Sequence, residues 1–223
     1  MSKDKSEFQF ERIAFFSDAV FAIALTLLAL EIHAPVYGPG VKAGQALGEF
    51  LHLIPEFIAV LVSFFLVAMY WRRHHQLFGV LAGYDATLIT LNFFGLAAVV
   101  FLPFSTAFLS KNWLRFWNNP LVLPFVVYSL NNLVCAAANV LLFRHALDPK
   151  NGMYQPSATF DAERVKLEVL TPVLVFTATT VVGCFSALAA LPCFALFAFE
   201  PLFIRSVLGR RPRASTATTT RKD

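Results

Sequence analysis

Five stretches of this chain are apolar for about the length of a membrane crossing or more. They cover residues 13–33, 50–70, 84–109, 120–143 and 165–208. An α-helix rises 1.5 Å per residue, so about 20 residues cross a hydrocarbon core. In that medium every backbone N–H and C=O needs a partner inside the protein, and for a single segment the helix is the solution. The last stretch is too long for one crossing and is interrupted at "ALAALPC", so it reads as two helices joined by a tight turn before Pro192. The expected fold is therefore all-α, an integral membrane protein with six transmembrane helices in one domain over residues 1–209. Composition agrees: only 14% of the residues are charged, where a soluble domain carries about 25%.

The basic residues orient the spans. With the N-terminus inside, fifteen of the 18 Lys and Arg residues fall in inner segments, and only Lys42, Lys111 and Arg115 fall in outer loops. Both termini are thus expected on the cytoplasmic side. The net charge of +4 is accounted for by these inner segments, so no nucleic-acid partner is implied. Residues 1–10 are polar and the first apolar run is too long for a signal-peptide core, so that run is expected to remain as a span. The tail "RRPRASTATTTRKD", residues 210–223, has no apolar periodicity and is expected to be disordered. Cys135, Cys184 and Cys193 lie in apolar runs without CxxC or His spacing, and read as packing residues rather than a disulfide or metal set.

The first span carries a carboxylate, Asp18, beside Ser17 and close after Arg12. Successive helical residues turn by about 100°, which places Ile23, Leu27 and Leu30 within about 60° of one another. Phe16 and Ala19 continue that stripe inward. Asp18 lies about 140° from Ile23, on a face continued by Ala22, Leu25 and Ala29. Small residues allow a neighbouring helix to approach, so this acidic face is the expected packing face. An unpaired carboxylate in a bilayer is costly. Its expected partner is one of Arg12, His74, His75, Arg72 or Arg73, with Trp71 nearby. An aliphatic stripe can face lipid or a neighbouring helix, and the pattern alone does not choose.

Other polar residues in the spans carry simpler expectations. Asn92, Asn131, Asn132 and Asn139 read as inter-helix hydrogen-bonding groups. Glu200 reads as pairing locally with Arg205, Glu56 as reaching the outer boundary, and Pro103 as kinking the third span. No nucleophile–base set, phosphate loop or metal spacing is present in the sequence, which argues against an enzyme and implies no cofactor. A proton-coupled carrier or proton leak using Asp18, His74 and Glu200 is the alternative from another class, although no internal repeat is evident.

"RIAFFSD", Arg12 to Asp18, fits R-x-x-x-F-S-D, and "WRRHHQLF" fits W-x-x-H-x-x-x-F through Trp71, His74 and Phe78. With the Leu102-Pro103-Phe104 segment of "LNFFGLAAVVFLPFSTAFL", these stretches resemble the transmembrane protein 175 family of endolysosomal potassium channels. The motif occurs once here, as in the prokaryotic branch. The resemblance implies a homotetramer in a prokaryotic plasma membrane, with the first helix of each subunit lining a pore. It assigns the constriction to Ile23, Leu27 and Leu30, and a supporting network at the inner end to Arg12, Phe16, Ser17, Asp18, Trp71 and His74. It also implies potassium as the permeant ion. Aliphatic rings replace little of an ion's hydration shell, so the expected preference for potassium over sodium is weak. Glu31, at the outer end, would attract cations.

Overall fold

A computed structural model describes residues 3–112, 122–157 and 160–209. The expected C-terminal tail, residues 210–223, lies outside the described residues, as does Arg115. Nine α-helices are described: α1 (Lys3–Leu30), α2 (Ala43–Leu51), α3 (Ile54–Phe78), α4 (Ala86–Val100), α5 (Leu102–Ser110), α6 (Leu123–Ala146), α7 (Ala162–Gly183), α8 (Ala187–Ala190) and α9 (Leu196–Leu208). Short 3-10 turns occupy Pro149–Asn151 and Leu191–Ala195. Extended pairing among the described residues is confined to a bridge between Leu81 and Tyr154.

Five helical units are long and apolar enough to span a membrane: Phe8–Leu30, Ala43–Phe78, Ala86–Ser110, Leu123–Ala146 and Ala162–Gly183. Ala187–Ala195 and Phe199–Leu208, bent by 49°, supply a sixth if the pair is one broken span. The chain is thus a multi-pass membrane protein with five to six spans. The last two spans separate at residues 184–186, where Ser186 caps α8, ahead of the turn expected before Pro192. The second helix also runs eight residues past Tyr70, so Trp71 and His74 sit within α3 rather than after it. Polar side chains there find partners on neighbouring helices, so the helix need not stop where the apolar run stops.

Local chemistry places the ends. Pro35 lies shortly beyond α1 and cannot extend it. Pro55 and Pro124 occupy the first turns of α3 and α6, where a missing N–H costs nothing. Asp85 caps α4 by accepting from Leu88 N–H at 2.6 Å, and Asp161 caps α7 by accepting from Arg164 N–H at 3.1 Å.

The third span breaks at Phe101, one helix ending at Val100 and the next beginning at Leu102 with Pro103 in its first turn. An unbroken helix would join Leu102 N–H to Ala98 C=O. Asn131 of α6 enters this gap beside Ser105 Oγ at 3.1 Å, and with its amide turned to match its neighbours the nitrogen donates to Ala98 O at 3.2 Å while the oxygen accepts from Leu102 N–H at 3.2 Å. One side chain so restores both groups that the break releases, which is the condition for tolerating a broken helix in lipid. Asn132 bonds instead within its own helix, to Tyr128 O at 3.0 Å, and the Asn139 side-chain oxygen is buried without a protein partner. Glu56 sits half-buried in the first turn of α3, with Oε2 buried without a protein partner.

The main core joins Phe21, Ala24 and Leu28 of α1 to Val67 and Tyr70 of α3, Leu96 and Val99 of α4, and Phe125 and Cys135 of α6. Cys135 packs there as expected, whereas Cys184 is exposed. A second cluster around Leu77, Phe78, Leu142, Phe143 and Val165 closes one end of the bundle. Between helices in lipid, close fit of this kind supplies the association energy. At Gly183 the fit leaves no room, since a Cβ would lie 2.7 Å from Phe125 Cδ1.

Candidate pore-lining helix and its anchor

Ser17, Phe21, Ala24 and Leu28 recur at intervals of three and four along α1, and all four are buried. They form the face that packs on α3, α4 and α5. Within the subunit the packed face is rotated from the expected one: of the residues that continue the Asp18 face, Leu25 packs partly against the core while Ala22 and Ala29 are exposed. The rotation has a polar cause. Ser17 Oγ accepts from Asn92 Nδ2 of α4 at 2.9 Å, and Asn92 Oδ1 lies 2.8 Å from His74 Nε2 of α3. Ser17 in turn donates to Ile13 O at 2.9 Å. With Nε2 of His74 carrying the proton, every donor in this chain meets an acceptor: histidine to asparagine, asparagine to serine, serine to backbone.

The anchor is dry. Ser17, His74 and Asn92 are all buried, and the His74 ring lies between Phe78, stacked at 4.2 Å, and Phe21 at 5.5 Å. Burying three polar side chains is tolerable only with their hydrogen bonds made, so the triad locks both the separation of α1, α3 and α4 and the rotation of α1.

Asp18 stands at the edge of this face and accepts from the Trp71 indole Nε1–H at 2.9 Å. The expected His or Arg partner is replaced by the tryptophan, itself stacked on His75 at 5.5 Å. Arg12 points elsewhere, 3.5 Å from Gln9 Oε1, and is not joined to Asp18. A neutral N–H donor satisfies the carboxylate without requiring a second buried charge. Phe16 packs against Phe93 of α4 at 5.5 Å. Of the inner network named from the sequence, the structure therefore joins Asp18 to Trp71, joins Ser17 to His74 through Asn92, and leaves Arg12 outside. Asn92 was legible only as an inter-helix bonding group. Its partners lie 75 and 18 residues away in sequence, and no local pattern connects them.

Glu200 also has a different partner from the one expected. It accepts from Arg73 Nη2 at 3.0 Å, across from α9 to α3, and not from Arg205. Arg73 is only 2% exposed, and a buried guanidinium takes a carboxylate in reach before a solvated one does. Asp18, His74 and Glu200 thus have three separate sets of partners. Glu31 lies 3.5 Å from Lys111, which offsets part of its charge at that end of the helix.

The Ile23–Leu27–Leu30 stripe lies about 120° around α1 from the packed face. Its members are 57%, 39% and 71% exposed, and Phe16 on the same side is 49% exposed. Among the described residues, no other helix covers the stripe. The helix thus has one face fixed by buried hydrogen bonds and packing, and another presenting branched aliphatics away from the subunit.

Comparison with known proteins agrees with this architecture. Residues 12–103 match the family model described as endosomal/lysosomal potassium channel TMEM175. A potassium channel of Streptomyces collinus is 36% identical over 154 residues, covering 69% of this chain and 71% of that protein. A potassium channel of Chamaesiphon minutus is 40% identical over 100 residues, covering 45% of this chain and 49% of that protein. The crystal structure of a lysosomal potassium-selective channel TMEM175 homolog from Chamaesiphon minutus superposes with a TM-score of 0.72 at 26% identity, covering 88% of this chain and 98% of that one. The broken third span and the anchored first helix described above are therefore features of a member of the TMEM175 family.

Proposed function

We propose that this protein is a passive potassium channel, assembled as a homotetramer around a central axis with α1 of each subunit lining the pore. The observation that carries the reading is the stripe itself: Ile23, Leu27 and Leu30 are uncovered while the opposite side of the same helix is fixed by the Ser17–Asn92–His74 chain. One helix per subunit cannot enclose a passage, so a pore lined this way needs several copies. Its relatives bear the name potassium channel, which supports the same class of permeant ion. The Asp18 side of α1, with Ala22 and Ala29 exposed, is small enough to seat the neighbouring subunit's helices.

Rings of Ile23, Leu27 and Leu30 make a narrow, poorly wetting constriction. An ion passing it sheds part of its water without full replacement, and potassium loses less by this than sodium. The preference is accordingly weak. Both termini face the cytoplasm of a prokaryotic cell, the side favoured by the distribution of Lys and Arg. Glu31, shared with Lys111, contributes a modest cation attraction at the opposite mouth.

Ion flux from liposomes tests the reading. Wild-type protein should pass potassium down its gradient with no coupled ion, and pass sodium more slowly. Ile23→Asn should wet the constriction and bring the two rates together. Flux that occurs only with a proton gradient would replace the channel by the carrier alternative. Unchanged selectivity in a well-folded Ile23→Asn tetramer would remove this ring from the filter.

A further inference from the structure

Where α3 and α9 end and α7 begins, two open clefts share a wall. One, of about 610 Å³, lies between α3 and α7; the other, of about 950 Å³, extends to α9. Arg72, Asp161, Arg164 and Glu168 line both. The larger also reaches Arg73, Glu200 and Arg205. Its carboxylates are already engaged. Glu200 holds Arg73 at 3.0 Å, Glu168 holds Arg164 at 2.8 Å, and Asp161 caps α7 through Arg164 N–H.

Donors remain in excess. Arg72 and Arg205 are exposed on the cleft wall, and neither forms an ion pair among the described residues. Arg73, 2% exposed and part of the same wall, has its Nε–H buried without an acceptor. Two guanidiniums without an ion pair thus line one open cleft, where an entering anion would meet both charges. A buried N–H without an acceptor adds to the demand for one.

We propose that the larger cleft binds a phosphate group between Arg72 and Arg205, with Arg73 supplying a deeper donor. Phosphate offers several acceptor oxygens with the spacing that guanidinium forks match bidentately. The cleft opens where the spanning helices stop, the level at which an anionic phospholipid presents its headgroup, and dissolved phosphate has the same chemistry. This site is separate from the pore reading and does not depend on it.

The test is native mass spectrometry of the full-length protein titrated with phosphatidylglycerol or phosphatidylcholine, with thermal melts in inorganic phosphate against chloride at equal ionic strength. Wild type should retain phosphatidylglycerol in preference. Each arginine near a membrane surface is worth about fivefold in affinity, so Arg72→Gln with Arg205→Gln should reduce that preference about 30-fold. Arg72→Lys with Arg205→Lys keeps the charge and should retain most of it, which separates loss of the site from loss of the fold. No lipid preference, but a phosphate-dependent rise in Tm lost in the Gln variant, would identify the dissolved anion as the source. Absence of both effects in wild type, or equal binding by the Gln variant, would overturn the proposal.

Discussion

Replacing Asn92 by Leu removes the group that joins α1 to α3 through α4 while filling nearly the same volume, so little cavity remains. Two hydrogen bonds are lost, at 2.9 Å to Ser17 and 2.8 Å to His74. Their consequences differ. Ser17 keeps its bond to Ile13 O, whereas His74, only 4% exposed, is left with a buried Nε2–H facing methyl groups. An unsatisfied buried donor costs about 1–3 kcal/mol, and inter-helix bonds in membrane proteins measure about 0.6–1.7 kcal/mol. The expected loss is about 2 kcal/mol, or about 4–8 °C in Tm for a chain of this length. Thermal unfolding in detergent reads this directly. The decisive form is a double-mutant cycle: His74→Phe removes the orphaned N–H, so the double variant should lose about 1 kcal/mol less than the sum of the single losses. Strict additivity, or an Asn92→Leu variant as stable as wild type, would refute the claim that this bridge sets the rotation of α1.

Three further predictions concern other parts of the bundle. Gly183→Ala should cost about 1–3 kcal/mol, because its Cβ would meet Phe125 Cδ1 at 2.7 Å, and Phe125→Leu should recover part of the lost Tm. Glu200→Gln leaves the Arg73 guanidinium buried beside a neutral partner, so a loss of about 3 kcal/mol is expected in detergent melts, while Arg205→Ala should leave Tm unchanged. At the start of α4, burial pulls the Asp85 carboxyl upward, but the bonds from Leu88 N–H and His145 outweigh it and hold the carboxyl below its ordinary range. Its contribution is present above a pH of about 4 and is lost as pH falls through the lower folded value, so the Tm gap between wild type and Asp85→Ala should close on acidification and stay open at neutral pH.

The all-helical, multi-pass character was legible because it follows from run length and charge alone. A segment such as residues 13–30 has one stable arrangement in hydrocarbon, whatever its neighbours do. The stripe of Ile23, Leu27 and Leu30 was legible for the same reason, since angular position on a helix depends only on sequence spacing. That this stripe is left uncovered was not. It follows from which other face is buried, and the acidic face was expected to fill that role. Pro103 announced a break, yet nothing near it in the chain pointed to Asn131 as the side chain that would span the gap from Ala98 to Leu102.

By itself, the sequence determined which segments enter the membrane, where charges and prolines interrupt them, and which residues share a helix face. Those are consequences of a single chain meeting water and lipid. Only the tertiary structure decided the partners: Trp71 for Asp18, Asn92 between Ser17 and His74, and Arg73 for Glu200. Each pairing joins residues on different helices, and buried polar groups accept whichever partner the packed geometry brings within about 3 Å, not the one that lies nearest along the chain.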